Sequence, residues 1–142
     1  MEEMVKAIRK TMDNNRIDGV TVTGGEPIEQ ISELNKALSL LSEMTDDILI
    51  YTGFSAEEAE KKSGKAEWET LKRYTSVLID DAYRDELNDN KCVLRGSLNQ
   101  NVIFFDETKK DRYLAYMEKG RMIQNVFCEG RMISVGIHGK ER

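Results

Sequence analysis

Four short runs of β-branched and aliphatic residues, at 19–23, 47–51, 76–80 and 101–105, constrain this chain more than any other feature. Each is too short for a helix of ordinary length, and three of them stop at glycine or an acid, as buried strands do. The first three are separated by stretches of helical period. Residues 2–15 place Met4, Val5, Ile8 and Met12 on one side of an opening helix. After Pro27, a residue suited to a first helical turn, Ile28, Ile31, Leu34, Leu38 and Leu41 recur at steps of three and four through about Met44. Ser55 and Glu58 have capping-box spacing and open a helix over 55–63, and residues 66–74 continue with Trp68, Leu71 and Tyr74 turned inward. Strands alternating with helices predict parallel β-α-β units, because parallel neighbours need a long crossover and a helix is the usual one. The expected fold is therefore α/β, a parallel sheet flanked by helices.

The end of the chain reads differently. Arg112 to Lys119 predicts a short helix closed by Gly120, and residues 122–127 and 132–137 are expected to pair as a hairpin across Glu129-Gly130. No repeat, linker or low-complexity stretch divides the 142 residues, so a single domain is expected.

Charge and composition exclude several function classes. The net charge of −5 disfavours nucleic acid, whose phosphates need clustered Lys and Arg. Residues 109–142 carry eight basic side chains against four acids, while the rest carry thirteen against twenty-two, so a basic docking face or a solvated surface sits at the far end. No apolar run approaches the roughly 20 residues of a membrane span, and the first residues lack a signal-peptide pattern; a cytoplasmic setting is expected. Cys92 and Cys128 lie far apart and form neither a disulfide framework nor a metal knuckle. His138, the one histidine, has no cysteine or carboxylate cluster beside it, which disfavours metal ligation.

Ligands of open α/β sheets bind beyond the carboxyl ends of the strands. At the first such junction Gly24 and Gly25 expose backbone groups and Glu26 adds a carboxylate. That set suits an ammonium group better than phosphate; equally, the glycines make a tight turn and Glu26 favours the positive start of a helix. Asp80 and Asp81 could accept from ribose hydroxyls or cap the segment that follows. Residues 95–100 collect Arg95, Ser97, Asn99 and Gln100, either for a ligand or to tie a polar loop to its neighbours.

The order of these motifs resembles the radical S-adenosylmethionine (SAM) enzymes. Residues 19–27 are similar to their first-junction strand and GGE motif, residues 50–54 to the next strand end in glycyl-radical activases, and residues 77–80 to a strand ending in an Asp near the SAM ribose. Arg95-Gly96-Ser97-Leu98-Asn99-Gln100 resembles the RGSxNQ stretch of the anaerobic ribonucleotide reductase activating proteins. The closing Val135-Gly136-Ile137-His138 is similar to a GI(P) element near the adenine, with His in place of Pro.

The resemblance implies a partial (βα) barrel. It also implies cofactor binding by Gly24, Gly25 and Glu26 at the methionine end of SAM, with Thr52, Asp80 and Asn99 near the ribose or sulfonium. Intact members reduce cluster-bound SAM to a 5′-deoxyadenosyl radical, which takes hydrogen from a glycine of the partner reductase, and an electron donor is a further partner. Their 4Fe-4S cluster sits on a CxxxCxxC loop that precedes the helix of residues 2–15. This chain starts at about that helix, so the expectation is an N-terminally truncated domain, inactive alone, with a neighbouring strand edge left open to a second copy. A non-catalytic SAM- or nucleotide-binding regulator built on the same scaffold is the alternative.

Overall fold

The structure, a computed structural model, describes residues 2–14, 17–128 and 130–136. Its order is α1 (Glu2–Asn14), β1 (Val20–Val22), a 3-10 turn (Pro27–Gln30) running into α2 (Ile31–Leu41), β2 (Ile48–Tyr51), α3 (Ala56–Ser63), α4 (Lys65–Tyr74), β3 (Val77–Asp80), β4 (Asn101–Phe104), α5 (Lys110–Met117), and the strands β5 (Ile123–Cys128) and β6 (Arg131–Gly136).

The main sheet has the order β1-β2-β3-β4, with β1, β2 and β3 parallel and Val20 opposite Ile48 and Leu49 opposite Val77. Alternation along each strand divides the apolar residues between two faces. On one face Ile48, Ile50 and Leu78 meet Leu38 and Leu41 of α2, Ala59 of α3 and Trp68 and Leu71 of α4, all buried. On the other, Leu49, Val77 and Ile79 pack with Leu94, Phe104 and Tyr113, so α5 and the long loop before β4 form a third, thinner layer. The expected capping box is present: Glu58 N–H donates to Ser55 Oγ and Ser55 N–H to the Glu58 carboxylate.

Three details depart from the sequence reading. β4 runs antiparallel to β3, with Asp80 opposite Asn101 and Val77 opposite Phe104. The reason is the connection. Residues 81–100 hold only a three-residue 3-10 turn, Asp85–Leu87, and without a crossover helix the chain returns alongside β3 in the opposite sense. The helix expected from Pro27 begins as a 3-10 turn, and its α-helical part closes at Leu41 through Ser42 N–H to Leu38 C=O. In α1, Val5 faces the core and Ile8 packs partly against it, whereas Met4 is exposed.

The terminal hairpin forms as expected, with Phe127 opposite Met132 and Gln124 opposite Val135. Ile137 and His138 lie outside the described residues. Among the described residues, no helix is long and apolar enough to cross a membrane.

Candidate functional site

The carboxyl ends of β1, β2 and β3 converge on a shallow hollow of about 170 Å³, lined by Gly24 and Gly25 after β1, Thr52 and Gly53 after β2, Asp81 and Tyr83 after β3, and Gln100 before β4. Gly24 (φ 89°) and Gly25 (φ 58°) have left-handed backbones that disfavour any side chain, and a Cβ added at either would meet nothing within 4 Å. The glycines are thus required by the turn's dihedrals, and the turn faces open space.

Glu26 sits behind this turn. Its carboxylate accepts from Ile28 N–H (3.0 Å), the Thr52 hydroxyl (2.7 Å) and Gly53 N–H (2.8 Å), so one side chain caps the following helical turn and ties the end of β1 to the end of β2. Asp80 makes an equivalent tie at the end of β3. Buried on the helix side of the sheet, it accepts from Ala56 N–H at the start of α3 (2.9 Å) and from both Asn101 N–H (3.0 Å) and Asn101 Nδ2 (2.8 Å). Asn99 donates through Nδ2 to Asp81 (3.1 Å) and Ala82 C=O (2.7 Å), and accepts from the Ser97 hydroxyl (2.7 Å). Of the six residues singled out from sequence, Gly24, Gly25 and Thr52 therefore line the hollow together. Glu26, Asp80 and Asn99 do not line it; their polar atoms hold the segments that do.

The polar loop of residues 95–100 is tied inward to an unusual degree. Gln100 Oε1 accepts from Gly96 N–H (2.8 Å), Gln100 Nε2 donates to Asp81 C=O (3.0 Å), and Arg95 donates to Gln100 C=O (2.8 Å). Gly96 leaves no room for a side chain, since a Cβ would come within 2.8 Å of the Tyr83 ring. Asp81 is a non-glycine residue at φ 69°, held there by Asn99, Gln100 and its own N–H bond to Phe54 C=O. Such strain persists only where the surroundings over-determine it. Tyr83 belongs to the strand-end junction of residues 80–83 that the sequence marks, though the sequence gives it no role of its own. Sequence reasoning did not find the Arg121 guanidinium, which donates to Cys92 C=O (2.8 Å) and Asn88 Oδ1 (2.8 Å) and anchors the hairpin to this loop, because no local pattern marks it.

Hydrogen bonding sets the acid behaviour of the loop. The Asn99 amide, followed by the Ala82 N–H, holds the Asp81 carboxyl below its usual range. Asp89 accepts from Lys91 and Cys92 N–H groups, which push it down to about 2. The folded loop thus keeps these carboxylates ionised where the unfolded chain takes up protons, from about pH 3.9 downward. Its stability is complete above that pH and falls as the pH drops through about 2 for Asp89. A carboxyl ¹³C titration is expected to place Asp89 near that value; a midpoint at about 3.9 would remove the bonds to Lys91 and Cys92 from the solution structure.

A family model described as a 4Fe-4S single cluster domain matches residues 1–103. Neither the curated proteins nor the solved structures yield a match. The description implies a 4Fe-4S cluster, whose iron is held by several thiolates. Residues 1–142 do not fit one by themselves: they contain two cysteines, and Cys92 is buried, its thiol pushed up by burial and by the Asp89 contact. Among the described residues, no group of three or more His, Cys, Asp or Glu could hold a metal ion. The match runs from α1 to the middle of β4 and takes in every junction of the hollow. The chain belongs to the family of 4Fe-4S single cluster domains.

Proposed function

We propose that this chain is the SAM-binding portion of a radical SAM activase serving an anaerobic ribonucleotide reductase. The observation that carries the reading is the open left-handed Gly24-Gly25 turn at the rim of a hollow shared with Thr52 and Asp81. The ordered motifs GGEP, YTGF, VLID and RGSxNQ support it, because each falls on one wall of that hollow or on the residues bracing it. At about 170 Å³ the hollow lies below the roughly 300 Å³ of an enclosing small-molecule pocket. It suits one end of SAM. In this reading the exposed backbone of Gly24 and Gly25 takes the ammonium of the methionine end, with Glu26 bracing the turn. Thr52 and Asp81 face the ribose, and Asp80 and Asn99 hold that wall in place. A glycyl-radical enzyme and an electron donor are its partners, and the outer edge of β1 is an attachment for a second copy.

Calorimetry tests the reading directly. Weak, saturable SAM binding is expected, lowered at least about fivefold in Gly25→Ala, because a left-handed alanine is strained by about 1 kcal/mol or more. A heat trace with no saturation at millimolar SAM would sink it.

A second reading, a non-catalytic SAM or nucleotide binder, is favoured by the cysteine count and the buried Cys92. Anaerobic incubation with iron and sulfide separates the two. Stable 4Fe-4S absorbance in this chain would favour a self-sufficient enzyme, whereas SAM binding without it favours a binding module.

A further inference from the structure

The amino ends of β2 and β3 frame a second cavity, at the opposite end of the sheet from the hollow. It measures about 620 Å³, within the range of small-molecule pockets, and is walled by the end of α4, the loop after α2 and the residues that follow β4. Phe105 and Tyr74, both half-buried, give it apolar surface. The chain braces these walls: Ser76 C=O accepts from Phe105 N–H (2.9 Å) and Asp106 N–H (3.1 Å), and the Ser76 hydroxyl donates to Asp46 C=O (3.0 Å).

Most charges lining the cavity are already answered: Asp46 pairs with Lys109, Glu107 with Lys110 and Lys72 with Glu69. Two are not. Arg73, exposed in the last turn of α4, makes no ion pair or hydrogen bond among the described residues. Asp106 accepts only from Thr108, through its N–H (3.0 Å) and its hydroxyl (2.6 Å), and both bonds end on Oδ1. Among the described residues its Oδ2 has no partner and no cation pairs with it. A guanidinium and a carboxylate thus line one cavity without meeting each other or another ion. An anion alone would gain Arg73 but approach Asp46, Asp106 and Glu107, and a cation alone would approach Lys72 and Arg73. A ligand carrying both signs gains from both ends. Thr75 stands in the same wall, 3% exposed, and its hydroxyl has no hydrogen-bond partner among the described residues. A buried hydroxyl in that state is unfavourable to the fold and favours a polar ligand.

We propose that this cavity binds a small zwitterion, an amino acid with an apolar side chain. The ligand's carboxylate pairs with Arg73, its ammonium with Asp106 Oδ2, and its side chain lies against Phe105 and Tyr74. This site is separate from the SAM reading and stands whether or not that reading holds.

The test uses the full chain, L-leucine, and two relatives that each lack one charge, N-acetyl-L-leucine and L-leucinamide. Titration is followed by NMR at the Thr75 methyl and at the Gly24 and Gly25 amides. Leucine is expected to bind saturably in roughly the millimolar range and to shift Thr75, with each relative about fivefold weaker, the scale of one water-screened charge contact. Arg73→Gln should weaken leucine by about fivefold and leave leucinamide unchanged, because that relative has no carboxylate for Arg73 to meet. Asp106→Asn keeps an acceptor oxygen for Thr108; it should weaken leucine by a similar factor and leave N-acetyl-L-leucine unchanged. Arg73 is exposed and Asp106 partly so, and the core fold should survive both changes. Equal affinity for the three probes, no saturable leucine binding, leucine binding unchanged in both variants, or shifts at Gly24 and Gly25 instead of Thr75 would each overturn the proposal. SAM binding with no leucine binding would refute this site alone; leucine binding without SAM binding would refute only the proposed function.

Discussion

Replacing Asp80 by alanine is expected to destabilise the domain by about 3 to 4 kcal/mol, lowering the melting temperature by roughly 10 °C. The side chain is only 4% exposed and accepts three hydrogen bonds, from Ala56 N–H, Asn101 N–H and Asn101 Nδ2. Water cannot readily replace it, so truncation leaves buried donors unsatisfied, each worth about 1–3 kcal/mol. The damage reaches beyond one contact, because Ala56 opens α3 and Asn101 opens β4. A negative charge at the start of α3 also favours the positive end of that helix. Asp80→Asn keeps one acceptor oxygen and should lose about half as much. Urea unfolding measures both. A loss under about 1 kcal/mol in the alanine variant would show that Asp80 does not bind these elements together.

The same residue shows what sequence could and could not reveal. Strand and helix positions were legible because burial imposes periods: Ile48, Leu49, Ile50 and Val77, Leu78, Ile79 had to be strands buried on both faces. The capping box at Ser55 and the hairpin turn at Gly130 were legible because their chemistry is local. The antiparallel sense of β4 was not, since an irregular connection of twenty residues, 81–100, carries no period to show its direction.

Nor does spacing tell a carboxylate that faces a ligand from one that faces a neighbouring N–H. Glu26, Asp80 and Asn99 fall at strand ends, where both kinds occur, and only the positions of Gly53, Ala56 and Ala82 in space show that backbone groups occupy their polar atoms. Asp47 and Arg112 are sixty-five residues apart and share no motif, so the ion pair that ties α5 to the start of β2 had no signal in the chain at all.

Glu26→Ala is expected to cost about 2 kcal/mol and to weaken SAM binding. The stability loss is smaller than for Asp80 because Glu26 is partly exposed and water can satisfy some of the freed donors. Two causes for the lost affinity are separable through Glu26→Gln, which removes the charge but retains an acceptor oxygen. If Glu26 acts by charge on the ammonium of SAM, the glutamine variant should bind as poorly as alanine while staying the more stable of the two. If it acts by tying Gly53 and Thr52 to the Gly24-Gly25 turn, affinity and stability should fall together, and glutamine should lie between wild type and alanine in both. The geometry favours the second outcome. The carboxylate's bonds to Ile28, Thr52 and Gly53 all go to the chain itself, and it stands outside the lining of the hollow. Affinity lost in the glutamine variant with stability intact would make Glu26 a direct ligand of the amine.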